Sequence, residues 1–321
     1  MKKRLKIVLP ILLLIVFFTA AFLLRVQIKE IVKNSFKPEL PQEKQAEEFV
    51  EQKNPEVIAV KKTVVQPSVK QVKLPEVPKP IEIATTTDKP LPATINLSIP
   101  FASQAPFADW NMPYQEACEE ASAIMVSYYF LGKDKIEPAI MDAELLALIE
   151  WENKTFGYYQ DTNAEEIARI LREYFKFENV EVRYDNFTIE DIKKEVAAGN
   201  PVILPAAGRI LPNPNFRQPG PVYHALVVKG YTKTQIITND PGTRNGKDFL
   251  YFSEPLMNAV HEWNSEDILL GRKAMIVVKP NASLTKGFRR VRYVIRKQSA
   301  KSSKFRPGAE CARTLFQWHR L

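Results

Sequence analysis

Apolar positions divide this chain into three regimes. From Ile7 to Leu24 the run is apolar without a charge, broken only by Pro10 and Thr19. From residue 25 to 94 no apolar face persists: nine of the 24 prolines fall here, glycine is absent, and valine alternates with lysine, glutamate and proline. From Ile95 to Asn281 the apolar positions become periodic. INLSIPFASQ predicts a short strand and a turn, and APFADWNMPY an aromatic loop. QEACEEASAIMVSYYFLG, Gln115 to Gly132, follows with Ala121, Ile124, Met125 and Tyr128 at helical spacing and Gly132 as the stop. IEPAIMDAELLALIEW predicts a second helix. QDTNAEEIARILREYF predicts a third, with Thr162 and Glu165 placed as a capping box, and TIEDIKKEVAAGN a fourth from Thr188 to a stop at Gly199. The period then shortens. PVILPA, VYHALVVKGY, QIITND, DFLYF and KAMIVVK are short runs rich in β-branched and aromatic residues, which predict strands. Helices first and antiparallel strands second make an α+β fold.

Four segments follow: 1–24, 25–94, 95–281 and 282–321. The first has the length of a membrane span, since 18 residues at about 1.5 Å each approach a hydrocarbon core of roughly 30 Å. It reads as an uncleaved signal anchor rather than a cleaved signal peptide, because its only small-residue cluster, Thr19-Ala20-Ala21, lies inside the apolar run. The second reads as a disordered, proline-rich linker able to hold a domain away from a membrane. This order predicts a single-pass membrane protein with its C-terminal domain outside the cytoplasm. Basic residues flank the apolar run on both sides, so the charge bias adds little. The net charge of +8 suggests polyanion binding until it is located: residues 282–321 carry +10 and the rest −2. The basicity belongs to the tail, which resembles no nucleic-acid-binding module, and no nucleic acid is expected as a partner.

Cys118 opens the first periodic helix, where the unpaired N–H groups and the helix dipole favour a thiolate. Glu119 and Glu120 oppose this and call for a cationic partner. The only other cysteine, Cys311, lies in the basic tail, so a disulfide between the two is disfavoured. Of the three histidines, His261 and His319 sit on a short predicted helix capped by Ser253 and near the C-terminus, whereas His224 opens the strongest strand. Asn239 and Asp240 end the next strand, and either can accept the ring N–H of His224 and fix its tautomer. Gln104 or Gln115 can supply a side-chain donor to an oxyanion. Phe107, Trp110 and Tyr114 are candidates to line a cleft, and the four-proline loop from Gly208 to Pro221 is expected to border it. No metal site is expected, because His261-Glu262 is followed by serine at 265 where a zinc-peptidase helix needs its second histidine. GTRNGK is one residue short of a phosphate loop, and no cofactor is expected.

IPFASQAPFADW, YQEACEEASAIMVSYY, GNPVILPAAG, HALVVKGY and NDPGT, in that order, resemble the peptidase C-39-like family of papain-like bacterial cysteine peptidases, relatives of the domains that process bacteriocin leader peptides. The resemblance covers Ile95 to Asn281. It implies a papain-like fold, with Cys118 as nucleophile, His224 as base, Asp240 orienting His224, and Gln104 as oxyanion donor. Two features depart from the family: Glu119 and Glu120 replace the glycine and proline that usually follow the cysteine, and the stretch from Gln104 to Cys118 is longer. The expected function is hydrolysis of peptide or amide bonds through a thioester, with a peptide or peptidoglycan-derived substrate. The alternatives are a papain-like module that binds peptides or wall fragments without turnover, and a peptidoglycan amidase or transpeptidase.

Overall fold

The computed structural model describes residues 39–52 and 90–281 except Glu266, together with the single positions Thr19, Leu24 and Arg25. The predicted membrane anchor, Cys311, His319 and the basic tail lie outside the described residues. Among the described residues no helix is long and apolar enough to cross a membrane.

Among the described residues eight strands form one sheet: β1 (Glu43–Lys44), β2 (Ile95–Leu97), β3 (Asn179–Tyr184), β4 (Val202–Ala207), β5 (Tyr223–Tyr231), β6 (Gln235–Asn239), β7 (Phe249–Phe252) and β8 (Ala274–Lys279). The order is β1-β2-β5-β4-β8-β3, with β6 and β7 branching from β5. All pairs are antiparallel except β1 with β2. The fold is therefore a mixed α/β one with a largely antiparallel sheet. The elements are interleaved, however: β3 stands between helices. The sequence reading missed it, although NVEVRY alternates polar and apolar residues as a half-exposed strand at the edge of an antiparallel sheet does.

Among the described residues these α-helices accompany the sheet: α1 (Ala46–Gln52), α2 (Cys118–Phe130), α3 (Pro138–Thr155), α4 (Ala164–Arg169), α5 (Ile189–Ala197) and α6 (Ser253–Ala259). Every residue of α2 is buried, so this helix is enclosed on all sides rather than amphipathic. It packs between β5 and α3. The helix begins at Cys118, after a separate turn of 3₁₀ helix at Tyr114–Glu116. α5 has the predicted Thr188 cap, in a box with Asp191. The box on α4 falls one residue later than expected, formed by Asn163 and Glu166, and this frees Thr162 for another task. α6 begins with Ser253 itself and ends before His261, whose Nδ1 meets the Gly271 carbonyl 2.7 Å away.

Part of the stretch read as linker belongs to the domain. Lys44 O accepts from the Ser98 N–H at 2.7 Å, and Gln45 Nε2 donates to Ser98 Oγ at 2.9 Å. The fully buried Lys229 of β5 donates to Glu43 Oε1 at 2.7 Å and Asp248 Oδ1 at 2.6 Å. Phe49 of α1 lies over Gly199, where a Cβ would stand 2.4 Å from its ring and φ is +85°. Residues 43–52 lack enough apolar periodicity to reveal an element by themselves. What holds them is a buried lysine and a glycine 150 or more positions away in sequence.

Candidate active site

His224 and Asp240 meet because β5 and β6 are antiparallel neighbours, with Val227 opposite Asn239. His224 Nε2 lies 2.8 Å from Asp240 Oδ1, and both side chains are almost wholly buried. Asp240 is further fixed by the Gly242 N–H at 3.1 Å, the Tyr251 hydroxyl at 2.7 Å and Asn213 Nδ2 at 2.9 Å. Burial alone would raise its pKa. The neighbouring imidazole, Tyr251 and Asn213 outweigh that and hold the carboxyl below its ordinary value. Asn239 is turned away: its amide donates to Ile99 O at 3.0 Å and its Oδ1 accepts from the Asp248 N–H. Between the two candidates the geometry selects Asp240.

Three residues of this centre escaped the sequence reading. Asn213 and Phe216 come from the proline-rich loop, with the Phe216 ring edge-on to His224 at 5.2 Å between centroids, and Tyr251 comes from β7. The loop's length was the only signal for the first two. Gly242 is the fourth neighbour. A Cβ there would stand 2.7 Å from His224 Cε1 and 3.1 Å from Phe216, so the ring needs a residue without a side chain beside it.

Cys118 stands at the first position of α2, where its N–H and those that follow have no partner within the helix. The thiol is 5% exposed. Ser122, one turn on, donates to the Ala225 carbonyl at 3.3 Å, which seats the start of α2 on β5 directly beside His224. The thiol's own hydrogen-bond partner is Glu119 Oε2, at 2.9 Å. Burial above all, then the charges of Glu119 and Glu120, push the thiol well above its ordinary pKa, against a lowering by the Ala225 N–H. The dipole argument for a thiolate is overridden by burial first and by these carboxylates second. Glu120 in turn faces Glu152 of α3, and neither carboxyl receives a donor from the protein.

Gln104 is buried, and its N–H donates to Pro241 O at 3.1 Å, which ties it to the loop carrying Asp240. Its side-chain amide donates to the carbonyls of Tyr114 and Gln115, at 3.0 and 2.9 Å, so serving an oxyanion requires releasing one of them. The Gln115 side chain bonds Glu116 at the surface. Phe107 and Trp110 are exposed on the loop between Gln104 and Cys118, whereas the Tyr114 hydroxyl is committed to Asp142 of α3 at 2.5 Å, its pKa pushed up to about 12 chiefly by that bond. No group of three or more candidate ligands able to hold a metal occurs among the described residues.

Residues 96–264 match the Peptidase_C39 like family, and the chain belongs to it. Membership at this level suggests a hydrolase of the cysteine-peptidase type. A solved structure described as a C39-like peptidase from Bacillus anthracis is similar at 18% identity and a TM-score of 0.40, over 59% of this chain and 98% of that one. No curated protein matches the chain.

Proposed function

We propose that the protein is a cysteine hydrolase of peptide or amide bonds in which Cys118 is the nucleophile, His224 the proton carrier and Asp240 the residue that orients it. The observation that carries this reading is the buried His224–Asp240 pair lying next to the strand position on which the Cys118 helix is seated. Asp240 holds Nε2, which leaves Nδ1 as the ring atom for the thiol proton. In the proposed reaction Sγ attacks the carbonyl carbon and its proton passes to Nδ1. His224 then protonates the leaving amine as the C–N bond breaks. Water, deprotonated by the neutral imidazole, attacks the thioester and regenerates the thiol. Gln104, once one of its amide hydrogens is released, and the N–H groups at the start of α2 are the donors available to the oxyanion.

The apolar run 7–24 supports placement on a membrane with the catalytic domain outside the cytoplasm, where peptides and peptidoglycan stems are the available amide substrates. One observation favours a second reading, a module that binds such fragments without turnover: the thiol is bonded to Glu119 and raised in pKa. The test is incubation of the purified chain with peptide pools and with peptidoglycan stem fragments, products being read by mass spectrometry. Cleavage that disappears in both Cys118→Ala and His224→Ala supports the hydrolase. Binding without cleavage, unchanged in Cys118→Ala, refutes it in favour of the module. Exchange of the acyl group onto an added amine identifies a transpeptidase.

A further inference from the structure

We propose that Glu119 is a positioning residue for Cys118: it holds the thiol hydrogen on its own carboxylate, away from His224, and that bond must be released before the thiol can act. The inference rests on the hydrolase reading above.

The carboxylate is gripped from both sides. Oε2 accepts the Cys118 S–H at 2.9 Å, while Oε1 accepts the Thr162 N–H at 3.0 Å and its hydroxyl at 3.5 Å. The Thr162 carbonyl accepts the Tyr223 hydroxyl at 2.7 Å, and Tyr223 is the residue before His224 on β5. The preceding Asp161 takes φ of +54°, a conformation that costs a non-glycine residue energy and is held by its surroundings. A chain of bonds therefore runs from the strand of the base, through the Asp161–Thr162 turn and the Glu119 carboxylate, to the nucleophile. A residue that merely anchored the turn would need only one of its two oxygens.

No hydrogen bond joins Cys118 to His224 among the described residues. The groups that face Glu119 are Cys118 and Glu120 on its own helix, Asp161 and Thr162 on the turn, Tyr223 on β5 and Glu152 on α3. None is a cation, so burial above all, with the charge of Glu120, raises the Glu119 carboxyl well above its ordinary pKa, and wherever that carboxyl is ionised its charge adds to the Cys118 bond in keeping the proton on sulfur. On release the S–H bond breaks and the proton forms Nδ1–H on His224, whose Nε2 already has Asp240.

The experiment follows alkylation of Cys118 by iodoacetamide against pH, on the full chain in mild detergent with Cys311→Ser throughout. Glu119→Gln keeps the shape and removes the ionisable carboxyl. It is expected to react about tenfold faster or more at neutral pH, with a midpoint lower by at least one pH unit. That gain is expected to vanish when His224→Ala is added. An unchanged or slower rate in Glu119→Gln overturns the proposal. A gain that survives His224→Ala leaves the restraint standing and refutes the hydrolase reading, so the two failures are distinct. Should Glu119→Gln not fold, Glu119→Asp, too short to span both contacts, decides: a faster rate supports the restraint and an unaltered one refutes it.

Discussion

Glu152→Gln should make the protein more stable at neutral pH. Glu152 is wholly buried, and burial, before any other cause, raises its carboxyl to about 9. Facing it is Glu120, equally buried and also raised, and no protein donor reaches either. Only a retained proton can supply a hydrogen bond between them. A carboxyl raised in the folded state gives stability that is complete below its unfolded pKa and lost as pH climbs through the folded one. For Glu152 that window runs from an ordinary value of 4.5 to about 9. From pH 4.5 to 7 the loss is about 3 kcal/mol, at about 1.4 kcal/mol per unit. A glutamine carries a permanent donor to Glu120 and does not titrate. Urea denaturation followed by tryptophan fluorescence should therefore give a wild-type stability that falls between pH 4.5 and 7, and a flatter curve for Glu152→Gln. The variant should gain about 1–3 kcal/mol at pH 7 once imperfect amide geometry is discounted. Parallel curves for the two proteins would refute the idea of a proton held between these carboxyls.

Gly199→Ala should eject Phe49, because the new Cβ would stand 2.4 Å from its ring and φ of +85° penalises alanine. The expected outcome is faster amide exchange in residues 42–52, with β4 and β5 still protected. Glu43→Gln should cost about 1 kcal/mol, since Asp248 still partners the buried Lys229. Combined with Asp248→Asn it should cost more than the two single changes together, measured as a double-mutant cycle by denaturation, because the ammonium is then buried without a carboxylate. Gly242→Ala should displace the His224 ring, its Cε1 being 2.7 Å from the new methyl. A displaced His224 Cε1–H chemical shift by NMR, with thermal stability near wild type, would show it, and an unaltered shift would count against this packing.

Much of the domain could be read in the chain. Short β-branched runs became β2 and β4 to β8, because buried strands demand continuous apolar side chains. Gly132, Thr188 and Gly199 marked helix ends, since caps are decided by local backbone chemistry. The scarcity of histidine and the end of the next strand narrowed the candidates to His224 with Asn239 or Asp240. What local pattern could not reveal was contact between distant positions. β1 and α1 depend on Lys229, Ser98 and Gly199, and the cap of α4 moved to Asn163 with Thr162 bonded to a carboxylate 43 residues earlier.

The thiol shows where this division lies. Its place on the first turn, and the two glutamates after it, are matters of sequence, and the sequence alone poses dipole against carboxylate. Only the tertiary structure decides between them. Packing α2 on all sides removes the water that would screen Glu119 and Glu120, and turns the thiol hydrogen toward Glu119. The Asn213, Phe216 and Tyr251 shell around His224 and Asp240 is likewise set by three segments converging in space, which no periodicity along the chain records.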